Sequence, residues 1–375
     1  MSPRIPLVDL KAAYARRRAD IDAAMREVIE NTRFIQGQEV AELERDFARF
    51  CGTSHAIGVG SGTAALHLVL AALGVGPGDT VAVPAHTFAA TAEPVTWLGA
   101  RPRFVDVDPE TGCLDPIALK SAIDGVKAVI PVHLYGRPAD MAAISAIAAD
   151  AGVPVIEDAA QAHGAELDGP EQTRRAGALG RAGCFSCYPG KNLGAFGDAG
   201  LVTTDDGRIA AAVRSLRDHG RTSKYEHQVV GYAHRLDTLQ AAVLLVKLRT
   251  LDADNERRRV LAAAYSAQLA GVGDLVTPAE TPGRRGVYHL YVLRTAHRDA
   301  LLAHLNAAGV GAGVHYPIPL HRQPAFASIG YGDGDLPATE AWARECLSLP
   351  LFPELTAEQQ ERVVAAVRDY FETVS

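Results

Sequence analysis

The segment that decides the fold is Cys184–Gly194, whose sequence is CFSCYPGKNLG. An apolar run typical of a buried strand leads directly into a glycine-bounded turn that carries Lys191. A lysine confined in such a turn loses hydration, and chains retain it there mainly when its amine must react with a carbonyl group. The segment therefore indicates a Schiff-base lysine at Lys191, with a solvated turn lysine as the alternative.

Length and charge restrict the class of protein. A chain of 375 residues exceeds what one hydrophobic core usually fills. We expect an N-terminal segment at 1–15 that packs on the small domain, a large domain at 16–245 and a small C-terminal domain at 246–375. The formal net charge of -7 is spread without a basic block, which argues against a nucleic-acid partner. Without a long apolar stretch or a secretory signal, we expect a cytoplasmic protein with no membrane partner.

The cysteines do not form a recognisable framework. Five cysteines in a chain of this size fit a reducing compartment. Cys184 and Cys187 have C-x-x-C spacing, but a zinc or redox site would require a second ligand pair or a strand-to-helix context. We interpret both as small strand residues that flank Ser186.

Strand-like and helix-like segments alternate along the first half of the chain. The strand-like segments are 56–59, 81–84, 103–107, 128–132, 153–156 and 201–204. This alternation predicts a mostly parallel sheet with helices on both faces and a ligand site at the carboxyl ends of the strands.

The second half has a different texture. Residues 219–235 are polar without periodicity, and we expect an irregular segment there that crosses to a partner subunit. A helical run follows from Leu236 to about Leu269. Strands such as 287–293 and helices such as 298–307 and 357–370 predict a compact α+β unit.

Two motifs of the first half suit the binding of a charged aromatic ligand. Ser61-Gly62-Thr63 follows a strand and begins a helix, where free backbone N–H groups and the helix dipole favour an anion. A plain helix cap is the alternative. Glu157 and Asp158 follow another strand, and one of them should face the crevice, where a buried carboxylate needs a cationic partner such as a protonated pyridine nitrogen.

The alternatives for these acids are a metal site or a helix cap. Asp158 and His163 lack a further ligand at metal-binding spacing, so we expect no metal. Phe88, in the segment His86-Thr87-Phe88 after a strand, is placed to lie against an aromatic cofactor or else belongs to the core. A phosphate cradle, a carboxylate, a stacking ring and a lysine are together what pyridoxal 5'-phosphate requires.

Eight motifs extend over nearly the whole chain: SGTAAL (61–66), HTFAAT (86–91), EDAAQAHGA (157–165), FSCYPGKNLG (185–194), GDAG (197–200), RDHG (217–220), RLDTLQAAVL (235–244) and YPIPLH (316–321). In these motifs the sequence resembles the DegT/DnrJ/EryC1/StrS sugar aminotransferases, a family of fold type I pyridoxal phosphate enzymes related to aspartate aminotransferase. The resemblance implies an α/β fold with a mostly parallel seven-stranded-type sheet, flanked by helices and followed by a smaller α+β domain.

The resemblance also implies site residues. Lys191 would bind the cofactor aldehyde, Asp158 would pair with the pyridinium nitrogen, and Gln161 would lie near the phenolic oxygen. The remaining cofactor contacts would be phosphate binding by Gly62, Thr63 and Ser186, and ring stacking by Phe88.

One position departs from the family pattern. Members usually have an asparagine in a G-x-N-x-R segment that reaches the phosphate of the neighbouring subunit, and here Ala233 occupies that place. Either His234 or a water substitutes for it, or the phosphate is held more weakly. Relatives that dehydrate sugars carry histidine at the lysine position, so Lys191 favours transamination.

For substrates, the resemblance implies L-glutamate as the amino donor and a nucleotide-linked keto-sugar as the acceptor. We expect a dTDP-3-keto-6-deoxyhexose aminated at C3, with C4 amination or a keto-cyclitol as alternatives. Candidate acceptor contacts are Tyr316, His321, Arg221, Lys224 and Arg235, although Tyr316 and His321 also suit a loop packed between domains. The family implies a homodimer with sites at the interface. A pyridoxal phosphate-binding regulatory protein is the non-enzymatic alternative.

Overall fold

The computed structural model describes residues 3–169 and 172–374. Its helices are α1 (Leu10–Asn31), α2 (Gln38–Cys51), α3 (Gly62–Ala72), α4 (Glu93–Trp97), α5 (Pro116–Ala122), α6 (Met141–Asp150), α7 (Gly207–Leu216), α8 (Thr238–Leu248), α9 (Leu251–Leu269), α10 (Arg298–Ala307), α11 (Pro337–Glu345) and α12 (Ala357–Val374). Its strands are β1 (His55–Val59), β2 (Thr80–Pro84), β3 (Arg101–Val105), β4 (Ala128–Val129), β5 (Ile156–Asp158), β6 (Glu166–Asp168), β7 (Thr173–Arg175), β8 (Ala182–Ser186), β9 (Gly200–Thr204), β10 (Arg284–Arg285), β11 (Tyr291–Arg294) and β12 (Cys346–Leu349).

A central sheet carries the strands in the order β3-β2-β4-β5-β8-β9-β1. Parallel bridges from Val129 to Val155 and from Val132 to Asp158 join β4 to β5 and so connect its two halves. Strand β9 runs antiparallel to both β8 and β1, while the pairs along the rest of the sheet are parallel. The predicted mostly parallel, seven-stranded α/β sheet is confirmed.

Helices cover both faces of this sheet because its strands are apolar on both sides. Helix α3 packs on β8 and β9, and α2 packs on β1. Leu68 of α3 and Ile57 of β1 are fully buried in one cluster, whereas Phe47 of α2 and Phe185 of β8 meet edge to face in another. The sheet is therefore an interior layer, and its edge at the ends of β5 and β8 is free to carry polar side chains.

A separate apolar cluster belongs to the C-terminal part of the chain. Strands β11 and β12 pair antiparallel, and α9, α10 and α12 contribute buried side chains beside them. Ile5 is also buried in this cluster, and its backbone N–H donates to the carbonyl of Gly309 over 2.9 Å. The predicted domain boundaries stay a prediction, and their outermost residues, 1, 2 and 375, lie outside the described residues.

Three predicted elements are shorter than expected, and prolines interrupt two of them. The predicted helix from residue 87 to 98 is replaced by a 3-10 turn at Ala89–Thr91 and by α4, whose first turn contains Pro94. The predicted strand at 128–132 keeps only β4 as a named strand, since Pro131 has no N–H to donate to a neighbouring strand. The predicted helix from 236 to 269 divides into α8 and α9.

No helix of the described residues has the length and apolar character that crossing a membrane requires. All five cysteines are free and buried. Over residues 3–169 and 172–374, no group of three or more His, Cys, Asp or Glu side chains is arranged to hold a metal ion.

Candidate active site

The Lys191 turn leaves the sheet at the end of β8. The backbone N–H of Lys191 donates to the carbonyl of Tyr188 over 2.8 Å, and that of Ala195 donates to Cys187 over 2.8 Å, so the turn closes on itself. A Cβ at Gly194 would collide with the carbonyl of Pro189, so only glycine fits there. Burial lowers the pKa of Lys191 from 10.5 to about 8, although nearby Asp158 opposes that shift.

Asp158 lies on the neighbouring strand, where its backbone pairs in parallel register with Cys184. The side chain is 5% exposed. Its Oδ2 accepts a hydrogen bond of 2.8 Å from the Thr91 hydroxyl, and its Oδ1 accepts one of 3.2 Å from the Ala160 N–H. Burial raises the pKa of Asp158 above its ordinary value, while these two donors and Lys191 act in the opposite direction.

Glu157 points to the other face of the same strand. Its carboxylate accepts hydrogen bonds of 2.7 Å from the backbone N–H groups of Gly177, Leu179 and Gly180, and it lies 2.9 Å from Nε2 of His133. The Nδ1 of His133 accepts from a backbone N–H, so Nε2 carries the proton toward Glu157. Both carboxylate oxygens of Glu157 therefore accept hydrogen bonds from within the fold, and Asp158 is the acid on the Lys191 side.

An anion cradle is formed where β8 ends beside the start of α3. The Ser61 hydroxyl caps α3 by accepting from the Ala64 N–H over 3.0 Å, which leaves the N–H groups of Gly62 and Thr63 outside the helical ladder. A Cβ added to Gly62 would lie 2.7 Å from Cβ of Ser186, so glycine permits the close approach of the two chains. The structure brings Gly62, Thr63 and Ser186 together at the N-terminus of α3.

Gln161 and Tyr316 form the next part of the site. The Gln161 Oε1 accepts a hydrogen bond of 2.6 Å from the Tyr135 N–H, and its Nε2 donates to the Tyr316 hydroxyl over 3.1 Å. The Phe88 ring centroid lies 5.7 Å from that of Tyr316. Phe88 is 58% exposed, so it is not a core residue and its ring remains available to a ligand.

Other predicted contacts are engaged elsewhere in the chain. His321 is buried and lies 3.2 Å from Glu340 of α11. Arg221 and Arg235 both pair with Asp218, at 2.5 and 2.9 Å. These side chains are thus held by acids of their own chain, and the backbone of Arg235 bridges Val59 at the end of β1, two residues before Ser61.

The remaining predicted residues lie in the irregular segment. The Lys224 ammonium lies 5.2 Å from the ring centroid of Tyr225, which is exposed. Nε2 of His234 lies 3.3 Å from Nδ1 of His67, and its ring stacks on Tyr232. His234 therefore makes contacts within its own chain, and Ala233 has no polar side-chain atom to offer.

Three further residues act on the site that the sequence did not single out. Thr91 contacts Asp158, and Lys247 donates from Nζ to the carbonyl of Gly194 over 2.5 Å. The Asn192 amide donates to Asn255 of α9 over 2.9 Å. Thr91 lies inside the HTFAAT motif and Asn192 lies beside Lys191, so their positions in the sequence could have indicated both residues. Lys247 is distant in sequence from both positions, and no sequence pattern indicates its role.

These residues offer the contacts that pyridoxal phosphate requires. Asp158 has one donor on each oxygen and so retains lone pairs for a cationic ring nitrogen. The Lys191 ammonium has no hydrogen-bond acceptor among the residues that the structure describes, and the free N–H groups of α3 suit a phosphate. The donor set therefore fits the cofactor.

Comparisons with known proteins agree with this geometry. The DegT/DnrJ/EryC1/StrS aminotransferase family model matches residues 16–368. A pleiotropic regulatory protein of Geobacillus stearothermophilus is 48% identical over 370 residues, which cover 98% of this chain and 98% of the relative. The dTDP-3-amino-3,4,6-trideoxy-alpha-D-glucose transaminase of Streptomyces venezuelae is 46% identical over 374 residues, which cover 100% of this chain and 98% of the relative.

Solved structures lead to the same family. DesV of S. venezuelae, solved in complex with a ketimine intermediate, superposes with a TM-score of 0.96 at 46% identity, covering 99% of each chain. Structural neighbours include forms with the pyridoxamine phosphate cofactor bound, and aminotransferases of this family depend on pyridoxal phosphate. The fold, the matched span and these identities show that the chain belongs to the DegT/DnrJ/EryC1/StrS aminotransferase family and is a pyridoxal phosphate-dependent aminotransferase.

Proposed function

We propose that this enzyme moves the amino group of L-glutamate to C3 of a nucleotide-linked keto-sugar, with a dTDP-3-keto-6-deoxyhexose as the acceptor. The observation that carries the proposal is the placement of a buried carboxylate that retains free lone pairs, Asp158, close enough to Lys191 for its charge to act on the pKa of that amine. The name of the 46% identical Streptomyces venezuelae relative, a dTDP-3-amino sugar transaminase, supports the choice of acceptor.

The proposed roles follow from where each side chain lies. When bound, pyridoxal phosphate supplies an electron-accepting ring that stabilises negative charge at the Cα of the amino donor. Asp158 holds the proton on the ring nitrogen, since a buried carboxylate favours a cationic partner. The Lys191 amine would bind the cofactor aldehyde, and as a free amine it would move the Cα proton, because a pKa near 8 leaves part of it uncharged at neutral pH.

The other residues bind and orient. Gly62, Thr63 and Ser186 hold the phosphate at the N-terminus of α3, where backbone N–H groups and the helix dipole favour an anion. Gln161 would contact the phenolic oxygen of the cofactor, and Phe88 would lie against its ring. Tyr316 would contact the acceptor, since the hydrogen bond from Gln161 holds the Tyr316 hydroxyl at the same side of the site.

We also propose a homodimer with the sites at the interface. Val229 and Val230, in the irregular segment, are half or more exposed, and Tyr225 is 83% exposed. Apolar side chains exposed together on a segment without regular structure suit a partner subunit. In the dimer, Arg221, Lys224 and Arg235 would serve the nucleotide diphosphate of the neighbouring site as cationic contacts.

A panel of acceptors tests the function. The purified enzyme is incubated with L-glutamate and a keto-sugar nucleotide carrying its carbonyl at C3 or C4, or with a keto-inositol, and the aminated product is identified by mass spectrometry and NMR. Amination at C3 of a dTDP-linked sugar is the expected result. Amination only at C4, or only of the keto-inositol, would contradict the proposed acceptor and identify another. If none of these acceptors is aminated, the proposal is overturned.

A further inference from the structure

Two buried threonine hydroxyls stand in a row behind Asp158. Thr91 is 1% exposed and Thr87 is 3% exposed, and both precede α4 in the segment that follows β2. Their hydroxyl oxygens lie 2.9 Å apart, and the Thr91 hydroxyl lies 2.8 Å from Oδ2 of Asp158. Buried hydroxyls in such a row form a hydrogen-bond chain with a fixed direction.

The direction of the chain follows from proton counting. A hydroxyl has one proton, and an ionised carboxylate can only accept, so the Thr91 proton goes to Asp158. The contact between the two threonines must then use the Thr87 proton, with Thr91 as acceptor. The Thr91 hydroxyl is thereby oriented by the hydrogen bond from Thr87, and the Thr91 backbone N–H donates to the carbonyl of Phe88 over 3.1 Å.

The consequence concerns the orientation of the carboxylate. With Thr91 on Oδ2 and the Ala160 N–H on Oδ1, each oxygen of Asp158 is fixed by one donor from the protein. The carboxylate plane is thus set before any ligand arrives, and it keeps the lone pairs that face away from these donors. A preorganised acceptor of this kind saves the ordering cost of binding.

We propose that Thr91 is a positioning residue, which fixes the carboxylate of Asp158 toward the pyridine nitrogen of the cofactor, and that Thr87 in turn orients Thr91. This inference rests on the proposed role of Asp158. Neither threonine is assigned a contact with the cofactor or substrate, so both act through the carboxylate.

The same bond affects the titration of the carboxylate. Burial raises the pKa of Asp158, and the Thr91 hydroxyl is the largest influence that lowers it. The other titratable groups that act on Asp158 are Lys191, His133, Cys184 and Tyr316. None of these is altered by a change at Thr91, so a shift in the titration of Asp158 reports on the hydroxyl.

The test compares Thr91→Val, which has nearly the same shape but no hydroxyl, with Thr91→Ser, which keeps the hydroxyl. Two quantities are measured: the affinity of the apoprotein for pyridoxal phosphate, and the acidic limb of kcat/KM against pH in the holoenzyme. In Thr91→Val we expect affinity lower by about tenfold or more and an acidic limb moved to higher pH. Thr91→Ser should stay within about threefold of the wild type in affinity.

A matched control removes a hydroxyl that lies nearby but away from Asp158. Thr96 is exposed and donates to the carbonyl of Glu93, so Thr96→Val should change neither quantity. A folded Thr91→Val protein with wild-type affinity and a wild-type acidic limb would overturn the inference, even if its melting temperature fell. If Thr91→Val does not fold, Thr91→Ala carries the same expectations.

The result also separates this inference from the proposed function. Wild-type transamination is measured in parallel, and its failure would count against the proposed function alone, since cofactor affinity still reports on Thr91. An active wild type together with an unaffected Thr91→Val protein would instead overturn only the role of Thr91.

Discussion

The ammonium of Lys247 in α8 donates to the carbonyl oxygen of Gly194, the last residue of the Lys191 turn, over 2.5 Å. The same Nζ lies 4.9 Å from the ring centroid of Phe196. Burial lowers the pKa of Lys247 from 10.5 to about 8, so the charge is costly to keep in place. A helix distant in sequence thus holds the end of the turn on which the reactive lysine lies.

Lys247→Met should loosen this turn, because the carbonyl of Gly194 loses its donor. We expect the free energy of unfolding to fall by about 1–2 kcal/mol and the affinity for pyridoxal phosphate to fall with it. Urea denaturation and cofactor titration measure the two effects. Lys120→Met, at an exposed position of α5, is the matched control, and equal behaviour of the two variants would contradict the role of Lys247.

The lowered pKa of Lys191 predicts the pH dependence of cofactor binding. Only the uncharged amine attacks an aldehyde, and its pKa is lowered from 10.5 to about 8 by burial. The rate at which the apoprotein combines with pyridoxal phosphate should therefore rise with pH up to about 8 and then level off. Stopped-flow absorbance measures this rate, and a rise that continues to pH 10 would show an ordinary lysine.

Glu157→Gln should destabilise the fold. The carboxylate accepts three backbone N–H groups through both of its oxygens, and an amide places an NH2 group against at least one of them. An unsatisfied buried donor costs about 1–3 kcal/mol, so the free energy of unfolding should fall by that amount.

The control for this variant is Glu166→Gln, where the carboxylate pairs with arginines at a partly exposed position. We expect it to change the free energy of unfolding by less than about 1 kcal/mol. Both values come from urea denaturation. A Glu157→Gln protein as stable as the Glu166→Gln protein would mean that the buried acid does not organise the loop at 177–180.

Gly62→Ala should weaken cofactor binding. The new methyl group would lie 2.7 Å from Cβ of Ser186, so the start of α3 and the end of β8 must move apart. We expect the affinity for pyridoxal phosphate to fall by about tenfold or more, since a misplaced cradle loses phosphate contacts. Gly76→Ala has open space around the added methyl group and should bind the cofactor like the wild type. Equal affinities of the two variants would argue against the cradle.

The sequence predicted the parts of the fold that depend on local pattern. Alternating apolar segments predicted the sheet, and the glycines around Lys191 predicted a turn. Glycine is needed at the end of that turn because a Cβ at Gly194 would collide with the carbonyl of Pro189. Two adjacent acids on a strand must point to opposite faces, and the structure identifies Asp158 as the one beside Lys191.

Other parts depend on contacts between distant segments, which periodicity does not report. In the sequence, Lys247 cannot be distinguished from other charged helix residues. Only the folded structure shows that its ammonium donates to the carbonyl of Gly194. The helix expected at 87–98 was wrong because Pro94 restricts where the helix can begin, and the 3-10 turn that replaces its start places Thr91 against Asp158.

The measurement that tests the central claim most directly is the release of 2-oxoglutarate from L-glutamate by the pyridoxal phosphate form, in a single turnover without acceptor. The wild type should release about one equivalent per site as the visible absorbance of the cofactor changes, whereas Lys191→Ala should release none above background. Release by Lys191→Ala at the wild-type rate, or no release by the wild type, would contradict the account.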